Sequence, residues 1–447
     1  MTRTELLADF RVLRERPFRL LFLSQTVSLL GTAIAPIALA FAVLDEPGGS
    51  ASKLGYVLAA RALSQVIFIL AGGVLADRLP RFRLMAASNL LACGAQGGIA
   101  AIFITDEATG HAAPLAALIA LSAVNGAAGA LFLPAAQGVI PQIAPAAELQ
   151  PANALMRLSR NSTSIIGSAA AGILVATVGA GWALALDAAT FAAATALIAG
   201  IGVARAGRAG ASTMVADLRH GWREFRSRSW VWLVVVQFAL VNATVAALYV
   251  LGPVLARQYL GGAPAWAAIQ TAEAVGLVGG SLVAIRLRPR FPLRVAVAAT
   301  LGFAPPLLLL GFRAPIWLII AAMLVTGVCI DIFEVLWSTA LQSHVPIEAL
   351  SRINSYDMLG SFALGPLGLV VVGPLAAAGG VQPTMIGAGV LMAAASAVPW
   401  LAPAVRDLPA AAPPAARPPA GAPPPDAPPP AVPPAGGPAA GADAEAH

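Results

Sequence analysis

Asp331 and Glu334 stand three positions apart in an apolar stretch, so on a helix they share one face. Two carboxylates so close in a low-dielectric setting resist being ionised together, and one of them can then hold and release a proton. Structural pairing with Arg157 or Arg160, or a gating role, is the alternative reading of the same residues. Trp337 extends that face by one more turn. Arg61 and Glu273 are also embedded, each about 12 Å into its apolar segment at 1.5 Å per residue. Arg61 reads as a substrate or proton-pathway group or as an ion-pair member; Glu273 reads as a coupling group or as the partner of an arginine. Arg157, Arg160 and Asn161 form a further polar cluster, and Asp187 lies alone in its segment and reads as structural. A charge at a bilayer centre costs about 2.5–3.5 kcal/mol on insertion scales, so such side chains must face a cavity or a partner.

Other chemistries find no residues to carry them. The four histidines (His111, His220, His344, His447) are scattered singly, and Cys93 and Cys329 lie far apart in apolar runs, which offers neither a metal centre nor a disulfide framework. The sequence contains no Gly-x4-Gly-Lys-[Ser/Thr] phosphate loop and no nucleophile–base pair. An enzyme is not expected, and neither is a cofactor.

The elements that must position these groups follow from composition. Hydrophobic residues make up 58% of the 447 and charged residues 11%, where a soluble domain carries about a quarter charged. Such a chain cannot cover itself with water-compatible surface, so the bilayer is its expected solvent. A spanning helix needs about 20 mainly apolar residues. Segments of that kind lie at 18–43, 54–76, 84–105, 114–137, 153–178, 181–204, 230–252, 266–286, 294–312, 315–338, 355–378 and 384–404, twelve in all. The basic lead 1–17 precedes a retained first span rather than a cleaved signal.

Twenty-six arginines and one lysine leave a net charge of +6, and their distribution sets topology. With a cytoplasmic N-terminus, the inner loops hold Arg78, Arg81 and Arg83, then Arg205 to Arg228, then Arg286 to Arg294. The outer loops hold Lys53, Arg257 and Arg313. Both termini are therefore expected on the cytoplasmic side of the cytoplasmic (inner) membrane, with the positive charge facing anionic lipid rather than nucleic acid. The expected organisation is a lead (1–17), an N-terminal six-helix bundle (18–204), a surface-lying linker (205–229), a C-terminal bundle (230–405) and a Pro/Ala-rich cytoplasmic tail (406–447). Residues 408–447 hold 14 of the 36 prolines and cannot form a core. A weak internal repeat joins Gly73…Arg78-Leu79-Pro80-Arg81-Phe82-Arg83 to Gly280…Arg286-Leu287-Arg288-Pro289-Arg290, and two equivalent halves around a cavity is a transporter's plan.

The order Gly73-Val74-Leu75-Ala76-Asp77-Arg78-Leu79-Pro80-Arg81-Phe82-Arg83 closely resembles the loop signature between helices 2 and 3 of the major facilitator superfamily, with Pro80 where that family often has Gly. Phe132-Leu133-Pro134-Ala135-Ala136, Ile140-Pro141 and Glu148-Leu149-Gln150-Pro151-Ala152-Asn153-Ala154-Leu155 look like the helix 4–5 connection of its macrolide-efflux and enterobactin-exporter-like branch. Asp187-Ala188-Ala189-Thr190-Phe191, Gly221-Trp222-Arg223 and Leu341-Gln342-Ser343-His344-Val345-Pro346 echo the same branch. The resemblance covers residues 15–405.

The resemblance implies an all-α fold of twelve membrane helices in two pseudo-symmetric six-helix bundles. It implies that Gly73, Asp77, Arg78, Arg81 and Arg83 form a gate with Asp357, near the start of helix 11, when the cytoplasmic side is closed. It also implies a cavity lined by helices 1, 4, 7 and 10, for which Gln25, Asn125, Gln237, Asn242 and Trp337 are candidates, with Arg160 and Asn161 of helix 5 as further cavity candidates. Three family motifs are missing: Gly167–Gly172 lacks the helix 5 proline of drug antiporters, Asn125 stands where many carry an arginine, and Thr32 follows Ser28-Leu29-Leu30-Gly31 where an acid is frequent. No family motif therefore marks proton coupling, and Asp331, Glu334, Glu273 and Arg61 are its candidates as embedded ionisable groups. The expected protein is a monomeric secondary transporter exporting a small hydrophobic or drug-like compound against protons, by alternating access. An uptake permease of the same fold, and a non-transporting receptor acting through the Pro-rich tail, are the rival readings.

Overall fold

A computed structural model describes residues 11–143, 148–201, 223 and 225–410. Among the described residues, twelve helices are long and apolar enough to cross a membrane. They are α1 (Arg16–Asp45), α2 (Ala51–Arg78), α3 (Arg81–Thr109), α4 (Leu115–Ile143), α5 (Leu149–Val178), α6 (Ala180–Ala199), α7 (Ser229–Leu255), α8 (Ala263–Arg286), α9 (Pro292–Gly311), α10 (Ile316–His344), α11 (Ile347–Phe362 and Gly365–Gly379) and α12 (Val381–Leu401). This is a multi-pass membrane protein.

Local chemistry explains where these helices start, bend and stop. Ser50 caps α2 by accepting a 3.2 Å hydrogen bond from the Lys53 amide. Gly110 closes α3 in the left-handed conformation, φ 69°, which a side chain would oppose. Within α9 the pair Pro305-Pro306 offers no amide donors, and the helix tightens to a 3-10 turn at Thr300–Phe303 just before it. Pro366 likewise cannot donate to Phe362, and α11 is interrupted there. α11 also starts earlier than its hydropathy suggests, at Ile347 rather than near 355. The apolar window finds the membrane-embedded part of a helix and not its polar first turns. Asp357 consequently lies well inside the helix and not at its N-terminus.

Helix pairs repeat between the halves. In the first, Gly126 on α4 sits against the Arg61 carbonyl on α2, and Gly72 on α2 sits against the Ala130 carbonyl. In the second, Gly276 and Gly280 on α8 sit against the Leu324 and Val328 carbonyls of α10, and Gly327 on α10 faces the Glu273 carbonyl. In lipid, helix association depends on such close backbone approach, because burying apolar side chains gains little there.

The apolar core divides along the membrane normal. At the end bearing the loop after α1, one cluster joins both halves, with Ile37, Phe41, Leu44 and Leu54 from the first and Leu251, Leu255, Trp266 and Met385 from the second. At the end bearing the loop after α2, the core separates into two. One cluster holds Phe18, Phe82, Met85 and Leu155 from the first half; the other holds Trp230, Val231, Phe333 and Leu336 from the second. The space between these two clusters is where the site lies.

Candidate functional site

A cavity of about 870 Å³ opens between the halves, within the range that encloses small organic ligands. Its closed end is sealed by contacts between the bundles. Arg257, just beyond α7, makes a 2.8 Å ion pair through Nε with Asp45 at the end of α1, and its Nη1 donates to the Leu44 carbonyl. Gly55 on α2 lies against the Leu369 carbonyl of α11, Gly373 on α11 against Ser52, and Gly172 on α5 against Ala263 and Pro264 of α8. Each is a place where a side chain would hold the halves apart.

Seven of the expected site residues line the cavity: Gln25 on α1, Arg61 on α2, Asn125 on α4, Arg160 and Asn161 on α5, and Asp331 and Glu334 on α10. The Nδ2 of Asn125 donates to Gln96 Oε1 at 3.1 Å, which fixes its side chain between α4 and α3. Arg157, Arg160 and Glu334 are exposed to the cavity, while Asp331 Oδ2 is buried without a hydrogen-bond partner. Asp331 and Glu334 feel each other's charge, and Glu334 feels that of Arg157.

Other expected members lie elsewhere. Gln237, 1% exposed, donates through Nε2 to Thr300 Oγ1 at 2.8 Å and so joins α7 to α9. Asn242 donates to the Ser361 carbonyl and joins α7 to α11. Trp337 stacks on Phe333 and meets the edge of Trp230 inside the core of the second half. Its Nε1 donates to Asp357 Oδ2 at 2.9 Å, and Ser361 Oγ donates to Asp357 Oδ1 at 3.2 Å. Helical phase decides this: Trp337 continues the Asp331–Glu334 register by sequence, but the last turns of α10 face α7 and α11. Glu273 is not among the lining residues; it lies close enough to Tyr249 on α7 to interact electrostatically. Arg78 and Arg83 are exposed. Arg81, the first residue of α3, is half-buried. Gly73 and Asp77 lie in the last turns of α2; the side chain of Asp77 lies outside what is described, as do most of the linker and residues 411–447.

The structure adds residues that spacing could not supply. Gln65, Ser88, Asn89 and Asn153 also line the cavity, beside Arg157 of the polar cluster already seen in the sequence. Asp187 on α6, 1% exposed, lies within electrostatic reach of Arg61, with Oδ1 unpartnered. Gly31 on α1 leaves room for both the Asp187 carboxylate and Thr190. The latch Asp45–Arg257 joins residues more than 200 positions apart, which spacing along the chain does not connect.

The model of the transmembrane secretion effector family matches residues 7–419. The chain belongs to that family of the major facilitator superfamily. Its curated relatives include the multidrug efflux pump Tap of Mycobacterium tuberculosis, 26% identical over 406 residues, covering 88% of this chain and 94% of Tap. The enterobactin exporter EntS of Escherichia coli is 25% identical over 393 residues, covering 85% and 91%. Among solved structures, a mutant form of the nucleoside transporter NupG superposes with TM-score 0.70 at 12% identity, over 86% of this chain and 98% of that one. A bacterial homolog of the human lysosomal transporter Spinster, inward-facing and unoccupied, gives 0.67 at 15% identity, over 87% and 96%. The likeness to these structures shows the major facilitator fold, and membership of the family makes the chain a transporter rather than an enzyme.

Proposed function

We propose that this major facilitator protein exports a small drug-like compound across the cytoplasmic membrane in exchange for protons. The observation that carries the reading is one-sided access: a shared core and the Asp45–Arg257 latch seal one end of the cavity, while the core parts in two at the other. Alternating access needs two arrangements of this kind, each favoured by different contacts.

The excess of arginine at the loop 2–3 end makes that end cytoplasmic, so the structure is the cytoplasm-open state. Asp331 and Glu334, facing the cavity beside Arg157, are the carboxylates offered to protons, with Arg61 and Glu273 nearer mid-membrane. In the cytoplasm-closed state the Gly73–Arg83 segment closes on α11 around Asp357. The relatives' names support export rather than uptake. The protein functions as a monomer, with lipid as its surroundings and no cofactor.

Proteoliposomes loaded with a drug panel and given an imposed proton gradient test the mechanism. The double variant Asp331→Asn/Glu334→Gln is expected to lose gradient-driven transport. Gradient-driven transport at the wild-type rate in that variant would remove these carboxylates from coupling. Accumulation rather than extrusion by intact cells would favour the uptake reading.

A further inference from the structure

The ionisable groups of the cavity are sorted by half. Arg61, Arg157 and Arg160 come from α2 and α5 of the first; Asp331 and Glu334 come from α10 of the second. Arg157 and Glu334 sense each other's charge, yet among the described residues no ion pair within 4.0 Å joins the two sets. The cavity faces of Arg157, Arg160 and Glu334 are open, and one oxygen of Asp331 lacks a partner. Uncharged hydrogen-bonding groups lie among them, including Gln25, Asn125 and Asn161.

We infer that the cavity binds an amphoteric small molecule, with its anionic group on Arg157 and Arg160 and its basic amine on Asp331 and Glu334. The inference rests on the transporter reading and narrows its substrate class. A neutral apolar compound would strip water from five charges and return nothing, which is costly. A lipophilic cation would satisfy the acidic wall and leave the arginines bare. A compound carrying both charges answers both walls, and guanidinium forks suit a carboxylate or a similar anion. Bridging the walls also draws the halves together at their open end, which supplies the differential affinity a transition requires. A proton arriving on Asp331 or Glu334 competes with the amine and releases it, so exchange of proton for substrate follows from one pair of carboxylates.

The test uses the purified full-length protein in detergent and four compounds on one skeleton. They are 4-(aminomethyl)benzoate, its methyl ester (a cation), its N-acetyl derivative (an anion) and the N-acetyl methyl ester (neutral). Binding is read by ligand-induced thermal stabilisation and by tryptophan fluorescence. The amphoteric form is expected to bind about tenfold tighter than each blocked form, the worth of one charge-assisted hydrogen bond. Arg157→Gln/Arg160→Gln should abolish the preference for free acid over ester, and Asp331→Asn/Glu334→Gln the preference for free amine over amide.

Equal or tighter binding of any blocked form, binding of none of the four, or selectivity unchanged in folded variants would each overturn the proposal. Should the variants fail to fold, the four-compound comparison on the unaltered protein decides alone. Flux is measured separately in proteoliposomes. Binding of the amphoteric compound with no proton-driven movement of any compound would sink the transporter reading and leave this one standing. Extrusion of lipophilic cations without amphoteric selectivity would do the reverse.

Discussion

At the scale of single residues, the most informative side chains are polar groups whose partners lie on another helix. Asp357 takes one donor from Trp337 and one from Ser361, which ties α10 to α11. Trp337→Phe preserves the aromatic packing on Phe333 and Trp230 but removes the indole donor. The expected loss is about 1–2 kcal/mol, at the lower end for a hydrogen bond to a charge because the carboxylate is only half-buried. It should appear as a lower thermal transition in detergent. Asp357→Asn in the same background should restore part of it, because the remaining group is no longer an under-paired charge. Gly31 carries a different burden: a side chain there would enter the space of Asp187 and Thr190. Gly31→Val should therefore destabilise by about 1–3 kcal/mol, with a loss of transport beyond the loss of folded protein if Arg61 and Asp187 are displaced.

Helices and their seams set the next level. The α8–α10 seam depends on Gly276 meeting the Leu324 carbonyl, so Gly276→Val should lower the thermal transition by the cost of overpacking, about 1–3 kcal/mol. Gly387→Ala on α12 meets nothing within 4 Å; it should leave the transition in place or raise it slightly, since alanine is the better helix former. The contrast separates a requirement for close approach from a general sensitivity to glycine replacement. The Asp45–Arg257 latch is partly exposed, with side-chain accessibilities of 53% and 48%, so it contributes about 0.2–1 kcal/mol. Arg257→Ala is expected to move the balance toward the cytoplasm-closed state by about 1.5- to 5-fold. Distances between spin labels on the two halves would read that shift, and an unchanged distance distribution would remove the latch from the gate.

For the molecule as a whole, the division of the core predicts sidedness. A cysteine at Asn161, in a protein whose Cys93 and Cys329 are replaced by alanine, should react with an impermeant maleimide in everted vesicles and be protected in right-side-out cells. The opposite pattern would reverse the proposed orientation. Removing residues 411–447 should leave proton-driven transport within about twofold of the full chain, because a chain segment so rich in Pro and Ala has no means to bury a core. Loss of function on truncation, with membrane insertion intact, would instead favour a role carried by the tail.

The amino-acid sequence by itself determined the solvent, the number of helices and the pairing of the halves. Each follows from local properties: apolar runs long enough to span, arginines clustered on alternate loops, and a repeated Gly–Arg loop. It also placed Gln25, Arg61, Asn125, Arg160, Asn161, Asp331 and Glu334 in segments that reach the cavity, because an embedded polar group in lipid must face a partner or a water-filled space. Tertiary structure decided what helical phase and long-range packing control. Trp337, Gln237 and Asn242 serve joints between helices, since the direction of a side chain depends on which neighbour its helix presses against. Asp187 comes within electrostatic reach of Arg61, and Asp45 pairs with Arg257, across separations that no spacing rule spans. The charges that looked sparse along the chain are dense in the cavity because two half-molecules converge there, one bringing arginines and the other carboxylates.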